Sequence, residues 1–270
     1  MRSAPDGGAG LRDEGLTQGD AIGVPESGTY DRDGGQSGHT KPTALALKRL
    51  LGILLSCAAC MGFSATYAET PVAVAASPWD AEFAAFEATD AAHPPAAGGV
   101  VFAGSSSIRL WGDLESEFGT TVVLKRGFGG SQLSDCVKNV DRLVTRYRPR
   151  TVLVYAGDND LAAGATPTQV FDRFTAFVDG VRKRLPDTRI AYISIKPSPS
   201  RAELMPQIRA ANALIREYAA REPNLSYVDI FTPMLDGQGR PRHELFRDDA
   251  LHLNAQGYSL WKTIIAPYVG

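Results

Sequence analysis

The sequence predicts a three-layer α/β/α fold around a five-stranded parallel sheet, of the flavodoxin-like kind. Three observations carry that expectation. Short apolar runs alternate with longer segments of helical period, the runs are apolar throughout, and each ends in a polar or glycine-rich turn. Strand–helix alternation favours a parallel sheet with helices on both faces. Unbroken apolar strands are what a sheet covered on both sides requires.

The elements follow in order. Trp79, Phe83 and Phe86 recur at helical spacing and predict an amphipathic helix over 79–92, stopped by Pro94-Pro95. Val100–Ala103 reads as the first strand, with a helix from about Ile108, and Thr121–Leu124 as the second. Leu133, Val137, Val140 and Val144 should line one face of the next helix. Thr151–Tyr155 reads as the third strand, and Val170, Phe174, Phe177 and Val181 mark the helix after it. Ile190–Ile195 gives the fourth strand, followed by a helix around Ile208–Tyr218. Tyr227–Ile230 gives the fifth, and Tyr258–Ile265 lies in a closing helix.

Upstream the character changes. Residues 1–42 are polar, rich in Gly, Asp and Ser, and without apolar periodicity, so they are expected to form a disordered extension. Residues 43–68 read as a signal peptide. Lys48 and Arg49 precede the apolar run Leu50–Phe63, and the end at Thr66-Tyr67-Ala68 suits cleavage near Ala68. That run is shorter than the roughly 20 residues needed to span a bilayer. Leu54-Leu55-Ser56-Cys57 only loosely fits a lipoprotein signal, so a soluble exported product is preferred. Residues 69–97 then form the first helix and a linker, and 98–270 a single domain.

Charge and thiol chemistry narrow the function. A formal net charge of -2, with no Lys/Arg stripe along a helix, gives no basis for nucleic-acid binding. Cys57 and Cys60 fall in the signal segment, leaving Cys136 alone in the mature chain and unable to form an internal disulfide. With no nearby His, it reads as a small core residue.

In open parallel sheets, ligands bind beyond the carboxyl ends of the strands. Four turns should therefore converge there: Gly104-Ser105-Ser106-Ser107, Gly127-Phe128-Gly129-Gly130-Ser131, Gly157-Asp158-Asn159-Asp160, and Asp248-Asp249-Ala250-Leu251-His252 before the last helix. Of the four histidines, His39 lies in the polar extension, His93 beside the proline pair and His243 in a Pro/Arg-rich stretch. His252 alone has a carboxylate three residues earlier and a place ahead of the last helix. Read by themselves, the turns have plainer alternatives. Gly104–Ser107 could be an anion-binding loop at a helix start. Gly127–Gly130 could be a tight turn, and Asp158-Asn159-Asp160 a solvated one. A metal set of Asp158, Asp160, Asp249 and His252 is conceivable but not favoured. Lys196, Pro197 and Arg201 could border the cleft, although a loop with its charges in water is the expected role. Trp111 is expected in the core and not in an acyl pocket.

Together the four turns resemble the sequence blocks of the GDSL/SGNH hydrolases. Phe102-Ala103-Gly104-Ser105-Ser106 is similar to the nucleophile block, Gly127–Gly130 to the glycine block, Gly157–Asp160 to the G-x-N-D block, and Asp249–His252 to the D-x-x-H block. All four occur in family order between about Gly98 and the C-terminus, and the stretch from Trp79 through Pro94 to Trp111 resembles a bacterial subgroup.

This resemblance implies the SGNH hydrolase fold and a Ser-His-Asp ester hydrolase, with no cofactor and no catalytic metal. Ser106 would be the nucleophile, His252 its base, and Asp249 the group that holds the imidazole. The backbone N–H groups of Ser106 and Gly130, with the Asn159 side-chain amide, would form the oxyanion hole. The chain has Gly-Ser-Ser where the family name has Gly-Asp-Ser, and block spacing selects Ser106 over Ser105 and Ser107. The expected substrate is a short acyl (acetyl) ester of a small molecule or carbohydrate. The alternatives are a lysophospholipase or thioesterase for longer acyl chains, or a non-catalytic module binding carbohydrate or an anion in the same cleft. A fluorophosphonate, which labels only an activated serine, separates enzyme from binder.

Overall fold

The computed structural model describes residues 77–270. The expected extension, the signal segment and the start of the 69–97 linker therefore lie outside the described residues. Five strands form one sheet in the order β2-β1-β3-β4-β5: β1 (Val100–Gly104), β2 (Val123–Gly127), β3 (Thr151–Tyr155), β4 (Arg189–Ile193) and β5 (Leu225–Val228). Every neighbouring pair is parallel. The helices are α1 (Asp80–Ala92), α2 (Ser106–Arg109), α3 (Leu133–Lys138), α4 (Val140–Leu143), α5 (Asp158–Ala162), α6 (Pro167–Arg182), α7 (Met205–Ala219) and α8 (Ala255–Ile265).

Side chains alternate across the strands, and both faces are apolar because both are covered. Val101 and Ala103 of β1, with Val152 and Val154 of β3, join the core under α1, α3, α6 and α7, where Phe83, Leu133, Phe174 and Ile208 lie. Val100, Phe102, Leu153 and Tyr155 face the other way, onto Ile108 of α2, Trp111, and Trp261 and Ile265 of α8. The fold is thus the three-layer sandwich the alternation implies, and Trp111 is a core residue, 1 % exposed.

β5 runs Leu225–Val228, two residues earlier than the apolar run Tyr227–Ile230, and β4 runs Arg189–Ile193, ending before Ile195. Three further elements differ from the pattern-based reading for identifiable reasons. β2 begins at Val123 and continues to Gly127 through Lys125 and Arg126, which look like the end of a strand. Burial of Arg126 is compensated by an ion pair with Asp90 of α1, a 2.9 Å hydrogen bond to Tyr147 Oη and cation–π contact with the Tyr147 ring. The helix after β1 starts at Ser106 and lasts one turn, its Arg109 backbone packed so closely on Gly127 that a Cβ there would lie 2.3 Å from the Arg109 nitrogen. The predicted helix from Leu133 to Val144 is two short helices. At Asn139 the backbone leaves the helical region, and the side chain donates to the Asp135 carbonyl at 3.0 Å, a local bond that competes with the helix.

Register places the site. Gly104 pairs with Gly127 on one side and with Tyr155 on the other, so three strands end level. β2 and β3 leave β1 in opposite directions, which opens a crevice at that end between the turns that follow β1 and β3.

Candidate active site

Gly104 closes β1 with φ +130°, and a Cβ would come 1.9 Å from the Tyr155 carbonyl oxygen. Only glycine permits that approach. Beyond it Ser105 is extended and Ser106 opens α2. The structure separates the three serines. Ser105 and Ser107 are fully buried with no side-chain partner, whereas Ser106 is half-buried and its hydroxyl reaches the cleft.

His252 arrives from the far end of the chain on a well-anchored loop. The Arg247 N–H donates to the His252 carbonyl at 2.8 Å, and the Arg247 side chain to the Leu253 carbonyl at 2.9 Å. Asn254 caps α8 by accepting from the Gly257 N–H at 3.0 Å. Tyr258 of α8 donates to the Ser107 carbonyl at 2.9 Å, which ties that loop and helix to α2. His252 Nε2 lies 3.0 Å from Ser106 Oγ, and Nδ1 lies 2.7 Å from Asp249 Oδ2. A carboxylate can only accept, so Nδ1 carries the proton and Nε2 is the acceptor for the serine hydroxyl. Asp249 Oδ1 accepts from the N–H groups of Leu251 and His252, each at 2.9 Å. Partial desolvation opposes its charge, but these bonds and the imidazole outweigh it and hold the carboxyl well below the usual carboxylate range. A hydroxyl, a base and an orienting carboxylate in one line can move a proton off the oxygen as it attacks an electrophile.

The other predicted residues, Gly130 and Asn159, lie in the segments that follow β2 and β3. Gly130 has φ +73°. Among the described residues, neither its N–H nor that of Ser106 donates to a protein acceptor. Asn159 Nδ2 donates to the Ser131 carbonyl at 3.0 Å, and its Oδ1 accepts from Arg201 at 2.8 Å.

Beneath Asn159 the chain departs from the alternative of a solvated turn. Asp158 is buried and accepts from Lys196 Nζ at 2.7 Å and Tyr155 Oη at 2.9 Å, with Arg201 at 3.3 Å. Asp160 is fully buried, accepting from the Leu133 N–H and from Arg173 at 2.6 Å. Lys196, expected in water, is 1 % exposed, and Arg201 leans inward. Each buried charge is matched by an opposite one, which is the condition for tolerating it there. Both aspartates are thus engaged by cationic side chains, and among the described residues no group of three or more His, Cys, Asp or Glu gathers as a metal-binding set. His93 and His243 are exposed. Cys136 is buried in the core, and burial pushes its thiol far up, which leaves it inert.

One contact had no legible signal beyond an aromatic at helical spacing. Trp79, just ahead of α1, sends its indole N–H to the Gly129 carbonyl at 2.7 Å and packs edge-on against Phe128 at 5.2 Å.

Comparison with known proteins agrees with this architecture. Residues 96–260 match the family model described as GDSL-like Lipase/Acylhydrolase. No curated relative matches the chain by sequence. Among solved structures, a GDSL-like lipase from Bacteroides thetaiotaomicron is 21% identical, with a TM-score of 0.61 over 70% of this chain and 97% of its own. A family 3 carbohydrate esterase from Clostridium thermocellum is 14% identical, with a TM-score of 0.52 over 64% and 97%. One from Talaromyces cellulolyticus is 18% identical, with a TM-score of 0.52 over 63% and 95%. At such identities the three structures speak for the fold, while the family match spans well over half the sequence. The chain therefore belongs to the GDSL-like lipase/acylhydrolase family and is, at the level of reaction class, a carboxylic ester hydrolase.

Proposed function

We propose that the protein hydrolyses short acyl esters through an acyl-serine intermediate on Ser106. The observation that carries this reading is the hydrogen-bonded line from Ser106 Oγ through His252 to Asp249. Ser106 Oγ attacks the ester carbonyl carbon while its proton passes to His252 Nε2. As the tetrahedral intermediate collapses, the carbon–alkoxy bond breaks and Nε2 returns that proton to the leaving alcohol. Water then attacks the acyl-serine with the same base, and the carboxylic acid leaves as Ser106 regains its proton. Asp249 holds the tautomer and stabilises the imidazolium formed at each step. The N–H groups of Ser106 and Gly130 and the Asn159 amide stabilise the negative charge on the carbonyl oxygen.

The preference for a small acyl group, acetyl above all, rests on the polarity around the hydroxyl. Arg109 borders Gly129 and Arg201 bonds Asn159, so the turns assigned to the site carry polar and charged groups and a long alkyl chain would find few apolar partners. A polar alcohol such as a sugar suits the same surroundings as leaving group. Export is part of the proposal, supported by Lys48, Arg49 and the apolar run that follows them. No helix among the described residues is long and apolar enough to cross a membrane.

The test is hydrolysis of p-nitrophenyl esters from acetate to decanoate by the purified protein, beside Ser106→Ala. We expect acetate to be turned over fastest and the variant to be inactive. Equal rates for the two proteins would overturn the mechanism, and a decanoate optimum would overturn the acyl preference.

A further inference from the structure

All three groups assigned above to the oxyanion hole are amide N–H donors, and in two of them the oxygen of the same amide accepts from a side chain outside the donor set. The Gly129–Gly130 peptide offers the Gly130 N–H at one end, and its other end, the Gly129 carbonyl, accepts from the Trp79 indole at 2.7 Å. The Asn159 amide offers Nδ2, and its Oδ1 accepts from the Arg201 guanidinium at 2.8 Å. We infer that Trp79 and Arg201 are positioning residues that orient and polarise the oxyanion donors, an assignment that rests on the reading proposed above.

The physical need is clear in each case. Both residues of the Gly129–Gly130 peptide are glycine: a Cβ on Gly130 would meet nothing within 4 Å, and one on Gly129 would lie 2.9 Å from the Arg109 Nε. With no Cβ on either side the backbone dihedrals of that peptide are less restricted than elsewhere, and a flip would point the carbonyl at the developing charge. The Trp79 hydrogen bond resists the flip, and the indole is itself held by edge contact with Phe128, which is fully buried. An asparagine amide can likewise present either end. A guanidinium cannot accept a hydrogen bond, so Arg201 fixes Oδ1 toward itself and leaves Nδ2 for the cleft side. One Nδ2 proton is used on the Ser131 carbonyl at 3.0 Å, and the other remains for a ligand. Arg201 is in turn held by Asp158, 3.3 Å away. Hydrogen bonding at an amide oxygen also withdraws electron density from the nitrogen and strengthens its N–H as a donor. Trp79 precedes all four blocks in sequence and Arg201 lies between the third and the fourth, and each serves one donor.

The experiment compares Trp79→Phe and Arg201→Gln, singly and together, with wild type on p-nitrophenyl acetate. Fold is monitored by thermal melting. We expect kcat to fall about 10- to 100-fold in each single variant, less than the 100- to 1000-fold typical of losing a whole donor. KM should stay within about twofold, and inhibition by an alkyl boronic acid, which forms a tetrahedral adduct, should weaken in parallel with kcat. The two losses should multiply in the double variant because they act on different donors. Folded variants with wild-type kcat and boronate affinity would overturn the inference while wild-type turnover left the ester-hydrolase reading intact. Wild-type protein without turnover would sink that reading first. Should Arg201→Gln fail to fold, Trp79→Phe alone decides: a lowered melting temperature with unchanged kcat would mean a purely structural tryptophan and would overturn the proposal.

Discussion

Lys196 and Asp158, which follow β4 and β3, form an ion pair of 2.7 Å whose side chains are 1 % and 5 % exposed. Removing one partner leaves the other charged and out of water, so Lys196→Met and Asp158→Asn should each cost about 3–5 kcal/mol. Burial opposes the Asp158 charge, but Lys196 and Arg201 with the hydrogen bonds from Lys196 and Tyr155 hold its carboxyl below the usual range. With the folded-state pKa below that of the unfolded chain, the stabilisation is complete above the unfolded value of about 3.9 and is lost as pH falls through the lower folded value. Urea midpoints from pH 7 down to pH 2 check this. The wild type should lose stability below about pH 4, and Asp158→Asn should lose less over that interval.

Gly104 offers a sharper structural test, because an added Cβ would sit 1.9 Å from the Tyr155 carbonyl on the neighbouring strand. Positive φ adds strain to the overlap. Gly104→Ala is expected to destabilise by about 2–5 kcal/mol. Chemical denaturation measures it, and a loss below about 1 kcal/mol would mean that the strand ends are less tightly locked than the register implies.

Asp249→Asn separates orientation from folding. The side chain is about half exposed, at 47%, so the fold should persist. Loss of the acceptor for Nδ1–H should lower kcat by about 100- to 10,000-fold. Because the wild-type carboxylate stays charged well below its ordinary range, it contributes no acid limb near neutrality. Steady-state kinetics on p-nitrophenyl acetate check the drop in kcat, and a folded Asp249→Asn with wild-type kcat would contradict Asp249 as the group that orients His252.

Asn159→Ala tests the oxyanion role proposed for its side-chain amide. We expect kcat to drop about 100- to 1000-fold with KM little changed, since the lost bond strengthens only as charge develops on the substrate oxygen. Steady-state kinetics on p-nitrophenyl acetate measure the split.

How much of this was legible in the sequence depends on the kind of interaction. Thr151–Tyr155 was predicted to the residue as β3, because a buried parallel strand needs nothing but its apolar run. β2 was misplaced, because Arg126 is buried through Asp90, 36 residues away, and no local pattern encodes that pairing. The split at Asn139 comes from one side-chain hydrogen bond competing with a helix whose apolar spacing is otherwise continuous. At the site, the blocks around Ser106, Gly130, Asn159 and His252 were readable because each is a short turn at a strand or helix end. The burial of Asp158, Asp160 and Lys196 was not, since charged residues in a loop look solvated until their partners are known. Trp79 was visible only as a helix-face aromatic; its indole bond to Gly129 spans 50 residues.

The most direct test of an activated serine is covalent. The purified protein is treated with a fluorophosphonate, and the intact mass and the labelled peptide are then determined for wild type, Ser106→Ala and His252→Ala. Wild type should gain one adduct, on Ser106, with none in Ser106→Ala and much slower labelling in His252→Ala. An unlabelled wild type, or an adduct that survives in Ser106→Ala, would contradict a nucleophile at position 106.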